Sequence, residues 1–86
     1  MANELGSQST NHERWMREAL SLAQQAAEAD EVPVGAIVVH NGEIIGRGFN
    51  QPIRSCDATA HAEIVAIRSA SQFRNNYRLP GTTVYV

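Results

Sequence analysis

A chain of 86 residues with 43% apolar content and a formal net charge of −2 describes one small domain, too acidic to coat a polyanion and too short to be more than marginally stable unaided. All seven basic residues are Arg, set against nine acids, so any contact with nucleic acid must be a local arginine patch. The single cysteine, Cys56, excludes an internal disulfide and fits a reducing compartment.

Residues 1–9 are polar, lack the apolar core of a signal peptide, and are expected to be a disordered lead-in, with one domain over residues 10–86. Thr10 followed by Glu13 has the form of a capping box and predicts the start of a first helix. At helical spacing Trp15, Met16, Ala19, Leu20, Leu22, Ala23, Ala26 and Ala27 fill one arc, which predicts packing on a sheet. Trp15 lies on that stripe and is expected in the core.

Pro33 ends any helix and admits an extended segment. The β-branched run Ile37-Val38-Val39 predicts a buried strand over 34–40, Asn41-Gly42 a hairpin turn, and residues 43–49 the return strand. Gly46 and Gly48 weaken that strand and point to a bulge or a close approach of backbone. No apolar run approaches the length needed to cross a bilayer, so a cytoplasmic protein without membrane contact is expected.

A loop over residues 50–58 precedes a second helix, expected from about Ala60 to Phe73. That helix is apolar on two flanks, Ile64 and Ile67 on one, and Ala62, Ala66, Ala70 and Phe73 on the other. Such a helix is ordinarily buried between two partners. After the turn at Pro80-Gly81, residues 82–86 form a third strand. The order helix, strand, strand, helix, strand predicts a small mixed α/β sheet with helices on its faces.

Thr59-Ala60-His61-Ala62-Glu63 joins a metal-ligand imidazole to an acid/base carboxylate. Residues two apart diverge on a regular helix, so His61 and Glu63 can converge only at a helix start, where backbone N–H groups and the positive dipole end face the same space. Without further context the same residues describe a Thr59 N-cap, a first-turn acid and a hydrogen-bonded histidine.

Four blocks share an order and spacing: Glu31-Val32-Pro33-Val34-Gly35-Ala36, Gly46-Arg47-Gly48-Phe49-Asn50, Thr59-Ala60-His61-Ala62-Glu63 and Asn76-Tyr77-Arg78-Leu79. Over residues 13–86 the chain resembles the amino-terminal half of bacterial tRNA-specific adenosine deaminases of the cytidine-deaminase-like superfamily. The resemblance implies the first half of a three-layer α/β/α fold and conversion of adenosine to inosine at the wobble position of a tRNA anticodon loop. It implies one Zn²⁺ per complete domain, with His61 as a ligand and Glu63 as the proton-carrying carboxylate. A zinc-bound water ionises near neutral pH, which suits that pairing.

The resemblance also implies that Asn50, Val34 and the Ala62 N–H contact the base, and that the full-length protein is a homodimer. Arg54, Arg74 and Arg78 are candidates for RNA phosphate contacts. Cys56-Asp57-Ala58 stands where a His-Asp-Pro-like segment is usual, and Phe49 where Trp is common.

The family pattern continues into a Pro-Cys-x-x-Cys segment carrying two further zinc ligands, and this sequence stops short of it. Cys56, His12 and His40 have poor spacing to replace them. The 86-residue chain is therefore expected neither to hold zinc tightly nor to deaminate. Two other readings stay open: a guanine or cytosine deaminase of the same superfamily, and a non-catalytic α/β module that associates through its open sheet edge.

Overall fold

The computed structural model describes residues 2–51, 53 and 56–86, with side chains described from residue 11 onward. The elements run α1 (Ala2–Glu28), β1 (Gly35–His40), β2 (Glu43–Phe49), α2 (Ala62–Arg74) and β3 (Thr83–Tyr85).

Helix α1 begins at Ala2, well before the cap expected at Thr10, so the stretch read as a lead-in is helical. Once a helix is nucleated each added residue contributes a hydrogen bond, and nothing in residues 2–9 forbids extension. Trp15, Ala19, Leu22 and Ala26 are buried as expected, whereas Met16 and Leu20 are exposed. The buried stripe is narrower than the apolar arc because α1 meets the sheet on one side only. No helix among the described residues is long and apolar enough to cross a membrane.

The sheet has three strands in the order β2-β1-β3, and both pairings are antiparallel. The hairpin β1–β2 turns on Asn41 and Gly42, with φ of 50° and 76°, the doubly positive conformation that an Asn-Gly pair favours. Val38 pairs with Gly46 but Val39 pairs with Ile44, so Ile45 is the extra residue of a bulge. Strand β3 lies on the other side of β1, pairing Ile37 with Tyr85 and Val39 with Thr83. It is shorter than the sequence suggested.

Each face of the sheet carries one helix, giving three layers. Ile37 and Val39 join Trp15 and Leu22 beneath α1, with Ile44, Phe49 and Tyr85 at the margin. Ala36, Val38 and Ile45 join Ala62, Ala66 and Ala70 beneath α2, with Val34 and Leu79 alongside.

The glycines of β2 explain how closely α2 sits. A Cβ on Gly46 would lie 2.3 Å from the Ala66 carbonyl oxygen, and one on Gly48 would lie 2.6 Å from the Ala62 carbonyl oxygen. The sequence offered bulge or close approach, and β2 has both.

Helix α2 starts at Ala62 rather than Ala60, and His61, not Thr59, occupies the N-cap with φ −77° and ψ 153°. Ile64 and Ile67 lie on its exposed flank, and Phe73, on the alanine side by spacing, is also 70% exposed in the last turn. The alanine ridge recurs every fourth residue, so its next member is Arg74, which is half-buried with its Nη2 enclosed and unpartnered among the described residues. Asn75 ends the helix in the left-handed region, its N–H donating to the Gln72 carbonyl at 3.1 Å.

Candidate active site

The start of α2 is built by hydrogen bonds from three separate stretches of chain. The Asn50 N–H donates to the Val34 carbonyl at 3.1 Å. The Asn50 side chain then accepts the Ala62 N–H through Oδ1 at 2.7 Å. Ala62 is the first residue of α2, so its N–H has no partner within the helix, and Asn50, the residue after β2, satisfies it. Asn50 is 7% exposed, and losing this bond would leave a buried donor unpaired.

Three residues assigned to the base, Val34, Asn50 and Ala62, are thus brought together. The Ala62 N–H, expected to face the base, is instead spent on Asn50. Oδ1 of Asn50 is therefore engaged, and its Nδ2 amide retains donor capacity.

His61 and Glu63 flank Ala62 at the N-cap and second helical positions, and both are exposed. His61 makes no side-chain capping bond, while its carbonyl accepts the Val65 N–H at 3.0 Å to begin the helical ladder. Glu63 is the acidic residue in the first turn of α2, at the end toward which the backbone N–H groups point.

The preceding loop is folded back on itself. The Gln51 N–H donates to the Ala60 carbonyl at 2.8 Å, and the Ala60 N–H to the Asp57 carbonyl at 3.0 Å. Asp57 Oδ1 accepts both the Thr59 hydroxyl at 2.7 Å and the Thr59 N–H at 2.9 Å, while Oδ2 lies 3.6 Å from Arg68 on α2. The Thr59 hydroxyl and then the Thr59 N–H hold the Asp57 carboxyl below the ordinary aspartate range, outweighing an opposing desolvation, with Arg68 contributing less.

Glu31 is buried and accepts the Ile53 N–H at 3.2 Å, tying the same loop to the segment after α1. Neither Asp57 nor Glu31 was singled out from sequence as a site residue. For Asp57 a signal existed, since an Asp two residues before a Thr is a common side-chain turn.

The arginine candidates separate. Arg54 lies outside the described residues. Arg74 is the last residue of α2, about 18 Å from Ala62 at the helical rise, and Arg78 follows in the segment after the helix.

A catalytic zinc takes three protein ligands. Among the described residues no cluster of three or more His, Cys, Asp or Glu side chains could hold a metal ion. His12 is engaged elsewhere, its Nδ1 2.8 Å from the Tyr85 hydroxyl, and Cys56 is exposed on the loop. His61 is then a single donor, and the residues present do not make a complete zinc site.

Residues 9–86 match the family model for the cytidine and deoxycytidylate deaminase zinc-binding region. The tRNA-specific adenosine deaminase of Buchnera aphidicola subsp. Schizaphis graminum is 53% identical over 72 residues, covering 84% of this chain and 48% of that protein. A solved structure from work on A-to-I editing by tRNA:A34 deaminases at the wobble position superposes with a TM-score of 0.81 at 44% identity, covering 84% of this chain and 55% of its own. Guanine deaminase from Bacillus subtilis superposes with a TM-score of 0.82 at 39% identity, covering 86% of this chain and 48% of its own.

The chain thus spans about half the length of these relatives. A three-layer fold, a His-x-Glu pair opening α2 and a family match over residues 9–86 agree, and the chain belongs to the cytidine and deoxycytidylate deaminase family.

Proposed function

We propose that this chain is the amino-terminal part of a hydrolytic deaminase domain that converts adenosine to inosine at the wobble position of a tRNA anticodon. The observation that carries the reading is the hydrogen-bonded run Val34, Asn50, Ala62, which ties Asn50 to the residue between His61 and Glu63 and supports a role for its amide toward the base. Likeness to tRNA-specific adenosine deaminases supports RNA as the substrate class.

In the reaction water adds at C6 of the purine, the C6–N bond breaks and ammonia leaves. Glu63 carries one proton from the incoming water to the ring nitrogen and then the second, from the C6 hydroxyl so formed, to the departing amine, a role that suits an exposed carboxylate at a helix start. Nδ2 of Asn50 donates to an acceptor on the base, and Val34 supplies apolar contact. His61 contributes one zinc ligand, and the cysteine ligands come from a Pro-Cys-x-x-Cys segment absent from this sequence. Arg54, Arg74 and Arg78 contact phosphates. A cytoplasmic homodimer is the form proposed for the complete protein, and the exposed apolar flank of α2 supports burial against further protein.

The test joins residues 1–86 to the remainder of the Buchnera relative and assays an anticodon stem-loop RNA. Inosine is expected, and Glu63→Gln is expected to lower its rate at least about a hundredfold. The 86-residue chain alone, after dialysis, is expected to retain well under one equivalent of zinc and to form no inosine. Stoichiometric zinc with turnover in that chain would contradict the reading of an incomplete site. Guanine deamination is the second reading, favoured by the likeness to the Bacillus subtilis enzyme, and conversion of free guanine without action on the stem-loop would establish it.

A further inference from the structure

Downstream of Glu63 the sequence carries Arg68, Arg74 and Arg78 and no acid, a local charge of +3 in a chain whose total is −2. Two of these arginines lie at or just after the end of α2, where the surface also changes character. A shallow cleft of about 430 Å³ opens there, lined by Ser71, Gln72, Asn75, Asn76 and Tyr77.

Tyr77 is 80% exposed, so most of its ring is open to solvent in this chain. Its ring is held rather than loose. The Arg78 guanidinium lies 5.5 Å from the ring centroid, and the Arg78 Nε donates to the Tyr77 hydroxyl at 3.3 Å. Asn76 fixes the same turn by accepting the Arg78 N–H through Oδ1 at 3.0 Å. The Asn75 and Asn76 N–H groups close the helix end on the Gln72 and Ser71 carbonyls.

The cleft therefore has one aromatic wall, a rim of amides and a hydroxyl, and the exposed Arg78 guanidinium beside it, with Arg74 half-buried below. An aromatic face takes any base by stacking, amides offer donors and acceptors to its edge, and flanking guanidinium groups meet phosphates. Single-stranded RNA can present such a base because its loops leave bases unstacked.

We propose that this cleft is a second nucleobase subsite, in which an unstacked RNA base lies on Tyr77 with its edge toward Gln72, Asn75 and Asn76. It rests on the reading of RNA as substrate and extends it. The base held here is not the reacting one, since the helix end stands about 18 Å from the start of α2. The subsite anchors the loop at a distance and sets which bases flank the target.

The test measures binding of the 86-residue chain to a fluorescently labelled anticodon stem-loop by anisotropy. Tyr77→Ala is expected to weaken binding about tenfold, with Tyr77→Trp within about twofold of wild type because the stacking face is kept. Gln72→Ala, exposed on α2, is expected to weaken it less. A stem-loop with guanosine in place of the target adenosine should bind equally in this assay and show the same Tyr77 dependence. Equal binding by wild type and Tyr77→Ala, failure of Tyr77→Trp to restore it, or no binding at all would overturn the subsite. The hydrolase reading fails separately, by absence of inosine from the joined chain described above. A purely structural Tyr77 would instead lower the thermal midpoint without the recovery by Trp.

Discussion

The two faces of the sheet are packed by different means. Beneath α1 the contact is made by large side chains, Trp15, Leu22, Ile37 and Val39, and the backbones approach closely only at Gly35, where a Cβ would fall 2.1 Å from the Ala19 carbonyl oxygen. Beneath α2 the layer is mostly small residues: Gly46 and Gly48 of β2 lie against the ridge Ala62, Ala66 and Ala70.

Large side chains bury more apolar area and can change rotamer, so the α1 face contributes more of the stability and absorbs more change. A glycine–alanine contact buries little but leaves no rotamer to adjust, so it fixes one helix against one strand. Helix α1 has one such contact, at Gly35, whereas the helix that opens with His61 and Glu63 has two, at Gly46 and Gly48. Position, more than binding energy, is what that face supplies to the site.

The sharpest way to break the contrast is to add atoms on one face and remove them on the other. Gly46→Val places side-chain carbons against the Ala66 carbonyl and is expected to destabilise the fold by about 3 kcal/mol or more. Leu22→Ala on the opposite face is expected to cost about 2–3 kcal/mol while leaving the start of α2 in place. Urea unfolding of both variants, with NMR shifts of the Ala62 and Glu63 amides, would show whether the two effects separate. A well-folded Gly46→Val protein with unshifted amides would refute the role given to the small-residue contact.

Asn50→Ala leaves the Ala62 N–H buried without an acceptor and is expected to cost about 2 kcal/mol. Asn50→Asp keeps an acceptor at Oδ1 and should recover most of that loss, so a thermal melt of the pair isolates the capping bond. Equal losses would assign the effect to packing instead.

The smallest effect concerns pH. The folded-state pKa of Asp57 is depressed, so its contribution to stability is present above the ordinary aspartate pKa of about 3.9 and is lost as pH falls through the lower folded value. Asp57→Asn should therefore be less stable than wild type at neutral pH, with the difference shrinking in acid. A difference that stays constant from neutral pH to pH 2 would contradict the assigned cause.

Local signals were legible because their causes are local. Pro33, the β-branched run of β1 and the Asn41-Gly42 turn act through their own backbone preferences, and each lies where the sequence placed it. Phe73 shares the alanine side by helical spacing, as expected, but is exposed in the last turn of α2. Helix α2 starts later than expected because the acceptor for its first N–H comes from Asn50, twelve residues earlier and just past the end of β2. Sequence spacing contains no trace of that bond.

By itself, the sequence determined the order of elements, the hairpin and the His61-Ala62-Glu63 stretch at a helix start, since each follows from short-range sterics and capping. Only the tertiary structure decided the antiparallel order β2-β1-β3, the bulge at Ile45, and the use of Asn50 to hold Ala62. These depend on which backbones can approach when the sheet is covered on both faces, and that is a property of the packed layers rather than of any one segment.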